Sequence, residues 1–299
     1  MSDDLTSNLR FTRVDAPIGA LVEGFDPTEP IDERLVTPLA NGLRDYSVLI
    51  FRDLTLDAGQ LVALGRAFGE LEILPEPDKR HPKHPEIFNL SNVGGDGQVA
   101  SFENPQSVFL RGTERWHTDS SFREIPCLCT MLLAREVPET GGETEFADMY
   151  GAWASLDEDE QTALAQVRLV HDYCYSRANN PGEMEPMSDA ERAKYPAVIH
   201  PLVRTHGDGR RSLYLGGHVS HIAGTEQHGT GAIDASRDTI ATLTERVTQP
   251  EFVYRHHWQA GDLVVWDNRS TLHRLRPYDI AAERRVMQRI TVAGTEPVR

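Results

Sequence analysis

From residue 115 onward the chain is written mainly as short strands, and this limits its fold more than any other feature. "CLCTMLLARE", "IHPLVRTH", "RSLYLGG", "EFVYRHHW" and "DLVVWDN" are short apolar runs rich in β-branched and aromatic residues, bounded by polar or glycine-bearing segments. Strands of this kind bury their apolar faces by closing into a jelly roll or a related sandwich. Two helix candidates interrupt them, "DMYGAWASLDEDEQTALAQV" and "ASRDTIATLTERVT". Before them, "ERLVTPLANGLRDYSVLIF" predicts a helix running into a buried strand, Val48 to Phe51. "DAGQLVALGRAFGEL" spaces Leu61, Leu64 and Phe68 for an amphipathic helix with Asp57 as its N-cap. The expected organisation is mainly β with flanking helices, in a single domain over residues 1–299. Residues 10–90 form an N-terminal helix and strand part, and 115–299 the jelly-roll core. The glycine-rich segment 91–114 and the segment 176–196 are too long for ordinary connections and are expected to be loops beside an active site.

The formal net charge of −16 leaves no basic excess to neutralise nucleic-acid phosphates. A small anion remains possible where positive charge is concentrated. Arg269, Arg274, Arg276, Arg284, Arg285 and Arg289 supply such a concentration, although by itself this run also reads as a solvated basic face. Cys127 and Cys129 lie in an apolar run and read as reduced core thiols, not as a disulfide framework. The acidic start "MSDDLTSNLRF" is no signal peptide, and no run approaches the length of a membrane span, so a cytoplasmic protein is expected.

The chain holds two His-x-Asp triplets. His206-Gly207-Asp208 is followed by Gly209 between two strand-like runs, which marks a hairpin turn. His117-Thr118-Asp119, in "RWHTDSSF", reads as the end of a strand, where residues i and i+2 project from the same face. His273, in "GDLVVWDNRSTLHR", is the best third partner. Two imidazoles and one carboxylate on one face leave coordination positions open and suit non-haem Fe(II); zinc hydrolases use the same ligand types. His218 and His221 are spaced like half a zinc site but lack an acidic or cysteine partner nearby and read as structural. His256 and His257, adjacent on a strand, face opposite sides.

Taken together, "WHTDSSF", "ETGGETEFADM", "GDLVVWDNRSTLHR" and "RRVMQRIT" resemble the TauD/TfdA family of Fe(II)/2-oxoglutarate-dependent dioxygenases over nearly the whole chain. Within that family the motifs are most similar to the branch that cleaves phenoxyacetates. The resemblance implies a double-stranded β-helix that holds Fe(II) on His117, Asp119 and His273. It implies 2-oxoglutarate bound by Thr144 and an arginine. Pro277 and its neighbours add one residue after His273 relative to the family's usual spacing, so Arg284 stands as a candidate beside Arg285. Arg289 resembles the position that binds the substrate's acid group or supports 2-oxoglutarate. Leu74 stands where the taurine branch has a substrate-contacting histidine, which argues against taurine, and Phe122 is a candidate pocket wall or a core residue. The implied activity is hydroxylation of a small organic acid, with ether cleavage where the hydroxylated carbon carries an ether. It consumes O2 and converts 2-oxoglutarate to succinate and CO2. Sulfonate or sulfate-ester cleavage, hydroxylation of an amino-acid or natural-product intermediate, a zinc hydrolase and a non-catalytic jelly-roll binder are the alternatives. Family members are often homo-oligomers.

Overall fold

The computed structural model describes residues 8–74, 76–180 and 187–299. Within the expected loop 176–196, residues 181–186 lie outside the described ones. Strands β1 (Arg10–Arg13) and β2 (Ala20–Glu23) form a hairpin, followed by helix α1 (Glu33–Tyr46). Asp32 caps α1 by accepting from the Arg34 amide, and Ser47, left-handed at φ 62°, ends it. Strand β3 (Val48–Phe51) is buried throughout, and α2 (Ala58–Phe68) starts at a capping box between Asp57 and Gln60. Strand β4 (Phe88–Ser91) leads into the glycine-rich segment, which contains an unforeseen helix, α3 (Pro105–Gly112). Its local signal is Asn104 as N-cap with Pro105 at the first helical position. Eight residues are too few for apolar periodicity to announce it.

Next come β5 (Cys129–Glu136), β6 (Thr144–Asp148), α4 (Met149–Ala154) and α5 (Glu158–Leu164). The single helix expected here is two, because Asp157 and Glu160 form a capping box that starts a new one. The chain continues through β7 (Arg168–His171), α6 (Tyr173–Ala178), α7 (Asp189–Arg192), β8 (Val198–Pro201) and β9 (Val203–Thr205). It then forms β10 (Arg211–Leu213), β11 (Val219–Ile222) and α8 (Thr230–Val247). The last strands are β12 (Val253–His256), β13 (Leu263–Asp267), β14 (Thr271–Leu275) and β15 (Val286–Val292). Among the described residues no helix is long and apolar enough to cross a membrane.

The large sheet has the order β1-β2-β3-β13-β5-β15-β4, so the N-terminal part supplies strands as well as helices. A small sheet, β12-β6-β14, faces it. Strand alternation sorts the large sheet's side chains into two layers. Leu49, Met131, Leu133, Val265 and Ile290 pack against Leu39, Leu43, Leu61 and Leu64 beneath α1 and α2. Ile50, Leu132, Val264, Trp266 and Met287 point the other way, onto Phe146 of the small sheet. Each such side chain removed from water contributes about 1.5–3 kcal/mol. A one-residue slip of β13 would exchange the layers, so burial on both faces pins the register that positions the site.

Candidate active site

The site forms where the two sheets meet at one end. His117 lies in no regular strand: it makes a single antiparallel bridge to His273 in β14, through paired backbone hydrogen bonds of 3.0 and 2.8 Å. The chain turns at Asp119, and Ser120 adopts a left-handed φ of 54°. The expected strand end is thus one bridge followed by a turn, yet His117 and Asp119 still converge. Asp119 Oδ1 is 4.0 Å from His117 Nε2, and Oδ2 is 3.7 Å from His273 Nε2. One ligand atom from each of His117, Asp119 and His273 lies within 4.8 Å of the others.

The protonation states suit a cation. Burial pushes both imidazoles below their ordinary range, so they stand neutral with lone pairs available. His117 Nδ1 meets the Arg115 carbonyl at 2.7 Å, which makes Nδ1 the donor and leaves Nε2 facing Asp119. Burial raises the Asp119 carboxyl, but the Arg289 guanidinium and the Thr130 hydroxyl act against it, and the carboxyl stays ionised, below its ordinary range. Neutral nitrogens and one carboxylate, with coordination positions left over, fit non-haem Fe(II).

A hydrogen-bond frame aims the carboxylate. Thr130 Oγ1 donates to Asp119 Oδ2 at 2.7 Å, and Asn268 Nδ2 donates to Thr130 Oγ1 at 2.9 Å. Asn268 Oδ1 accepts from the Asp119 amide at 3.2 Å and from Trp266 Nε1 at 3.0 Å. Sequence reading treats Asn268 only as the polar end of a strand; its role depends on β13 lying beside β5, which no local pattern reveals.

The arginine run divides. Arg289 reaches inward, with Nη2 3.1 Å from Asp119 Oδ1. Arg285 is buried, and its Nε has no hydrogen-bond partner among the described residues. Arg284 does not join them: its guanidinium turns outward onto Glu136 at 2.6 Å and the Gly97 carbonyl at 2.8 Å. Adjacent residues of an extended segment face opposite ways, so only one of this pair can point inward. Arg274 and Arg276 are not free surface charges but pair with the buried Glu145, and Arg269 pairs with the buried Asp267. Thr144 opens β6 opposite Leu275, two residues from the Phe146–His273 pair, and so shares the face of His273. Its Oγ1 accepts from Trp258 Nε1 at 3.0 Å.

A cavity of about 140 Å³ opens beside His117 and Asp119. Phe109 from α3 and Tyr195 line it, so both expected loop segments border it; Leu74 and Phe122 line it as well. The Phe122 ring is 4.7 Å from that of Tyr173 and 5.0 Å from that of His218. His218, set aside in the sequence as structural, is a wall of the cavity with its ring 6.3 Å from that of His117. The signal was Gly216-Gly217: a Cβ on Gly216, at φ 127°, would sit 3.0 Å from the His117 Cα. Among the described lining residues, Arg115, Arg123, Arg177 and Arg289 stand against Glu76 and Asp119 as acids, so that part of the wall is cationic in an acidic protein. His221 points elsewhere, towards Glu226 at 3.4 Å. His256 is buried against Asp262 while the His257 side chain is 73% exposed, as their adjacency on a strand predicts.

The profile of the family described as "Taurine catabolism dioxygenase TauD, TfdA family" matches residues 8–291. The chain is 40% identical over 263 residues to an alpha-ketoglutarate-dependent 2,4-dichlorophenoxyacetate dioxygenase of Burkholderia sp. (strain RASC), covering 87% of this chain and 86% of the relative. It is 32% identical to a (S)-phenoxypropionate/alpha-ketoglutarate-dioxygenase of Sphingobium herbicidovorans, covering 94% and 93%. The crystal structure of AAD-2 in complex with Mn(II) and N-oxalylglycine superposes with a TM-score of 0.86 at 35% identity, covering 98% of this chain and 99% of that one.

Proposed function

This chain belongs to the TauD, TfdA family of dioxygenases, and from that premise we propose that it hydroxylates a small aryl carboxylic acid of the phenoxyalkanoate kind. It is a 2-oxoglutarate-dependent non-haem iron dioxygenase and uses Fe(II), 2-oxoglutarate and O2. The two facing sheets read as the halves of a double-stranded β-helix within a single domain. The observation that carries the substrate assignment is the cavity itself: aromatic walls, an arginine excess among the described lining residues, and a floor made of His117 and Asp119.

In this reading His117, Asp119 and His273 hold the metal. Bound iron, with O2 and 2-oxoglutarate, supplies oxidising chemistry that no side chain can supply. The chain's own residues do the rest. Thr130 and Asn268 hold Asp119 in one orientation, so the ligand set is formed before metal arrives. Arg285 and Thr144 take the far carboxylate of 2-oxoglutarate, the guanidinium Nε being otherwise without a hydrogen-bond partner among the described residues. Arg289 takes the substrate's acid group, exchanging its present contact with Asp119 for the incoming carboxylate. Phe109, Phe122 and Tyr173 receive the ring and exclude water around the carbon to be oxidised. Hydroxylation of a carbon that bears an ether oxygen gives a hemiacetal, which splits into a phenol and an oxo acid.

The test is succinate release from the Fe(II)-loaded protein with phenoxyacetates, benzoates and alkyl sulfates offered separately. Phenoxyacetates should stimulate it and release phenol, and Arg289→Ala should raise their KM by about 10–100-fold, the worth of a hydrogen bond to a charged group. Stimulation by alkyl sulfates alone would move the enzyme to the sulfate-ester branch, which includes an alkylsulfatase of Acinetobacter baylyi 31% identical to this chain.

A further inference from the structure

Tyr278 lies between β14 and β15, and its hydroxyl is buried without a hydrogen-bond partner among the described residues. The same is true of Arg285 Nε. These two unpaired donors belong to one cradle. Both side chains pack against the same two-residue segment, Gly141-Gly142. The segment Gly141-Gly142 closes the cradle from the other side. A Cβ on Gly141, at φ 76°, would sit 2.5 Å from the Pro277 carbonyl oxygen and 3.1 Å from the Tyr278 Cα. A Cβ on Gly142, at φ 70°, would sit 3.5 Å from the Arg285 Cδ. Two residues further on stands Thr144, whose oxygen already accepts from Trp258, so its own proton is free to point elsewhere.

Buried polar groups in folded proteins are nearly always paired, so two orphans flanking the same Gly141-Gly142 segment call for a partner. Burial pushes Arg285 down to about 10 and the Tyr278 phenol up to about 12, so at neutral pH the pair offers one cation and one neutral O–H donor. The guanidinium can only donate and the phenol can donate as well, which suits an anion with several lone pairs. A carboxylate has about four acceptor sites. The Arg285 fork fills two and Thr144 a third, leaving one.

We propose that Tyr278 donates the remaining hydrogen bond to the far carboxylate of 2-oxoglutarate and so helps select a dicarboxylic over a monocarboxylic 2-oxo acid. The assignment rests on the co-substrate reading given above. Asn92, whose Oδ1 accepts from the Arg285 amide at 2.8 Å and whose Nδ2 donates to the Ile280 carbonyl at 2.8 Å, ties together the segment carrying both side chains.

The experiment is an anaerobic titration of the Fe(II)-loaded full chain, read by the visible charge-transfer band, with 2-oxoglutarate and with 2-oxobutyrate, which lacks the far carboxylate. Tyr278→Phe should weaken 2-oxoglutarate about tenfold, as expected for one hydrogen bond to a charged group, and leave 2-oxobutyrate within twofold. Equal weakening of both acids, or a 2-oxoglutarate Kd unchanged within twofold, overturns the proposal. Arg285→Gln separates the two levels. If it too leaves 2-oxoglutarate binding intact, the co-substrate reading of this cradle falls and Tyr278 with it. If it abolishes binding while Tyr278→Phe does nothing, only the tyrosine assignment falls.

Discussion

His117-Thr118-Asp119 and His206-Gly207-Asp208 are the same triplet in two regions, and they share little beyond spelling. The first lies where two sheets meet, with Thr118 and Asp119 buried and His117 partly so, bridged by backbone to a third ligand and framed by Thr130 and Asn268. The second is the turn between β9 and β10, where His206 Nε2 meets Ser212 Oγ at 2.8 Å and Asp208 pairs with Arg210 at 2.8 Å. Side chains alone do not make a metal site. What separates the two is whether distant chain arrives to complete the ligand set and whether a second layer of hydrogen bonds prevents the carboxylate from turning away.

The contrast is broken most severely by Asp119→Ala, which should take anaerobic Fe(II) binding and turnover below detection. Asp208→Ala should change neither, and should lower the unfolding free energy measured in urea by no more than about 0.5 kcal/mol, because its ion pair is partly exposed. Iron affinity of Asp208→Ala falling alongside that of Asp119→Ala would sink the distinction. Thr130→Val keeps all three ligands but removes the hydroxyl that aims Asp119; Fe(II) should bind about 10–100-fold more weakly, measured by competition with a chelator.

The turn histidine should report through stability instead. Burial pushes His206 down to about 4, below its unfolded value of about 6.5. The unfolded chain therefore takes up the proton first. The contribution is fully present above pH 6.5 and is lost as pH falls towards 4. Urea midpoints between pH 7 and pH 4.5 should fall less steeply in His206→Gln than in the unaltered protein; equal slopes would refute this. Gly209→Ala should likewise act on stability alone. At φ 85° with nothing within 4 Å of an added Cβ, it should cost about 1 kcal/mol of backbone strain and leave iron binding unchanged.

Much of this protein is decided within short stretches of chain. Asp57 with Gln60 starts α2, Gly209 shapes the hairpin, and the runs "CLCTMLLARE" and "DLVVWDN" become β5 and β13. The chemistry of the ligand set is also local, since it depends only on residue type. Caps, turns and alternation act over a few residues, so a sequence carries them openly. Tertiary structure decided the rest. His273 stands beside His117 because β14 meets that bridge, and Arg285 points in while Arg284 points out because β15 enters the sheet in one register. His218 reached the cavity because two glycines let the backbone close on His117, and Asn268 reached Asp119 because β13 lies beside β5. Each of these turns on which strands become neighbours and at what offset. That offset is set by burying both faces of the large sheet together, a condition on the whole chain that no short window contains.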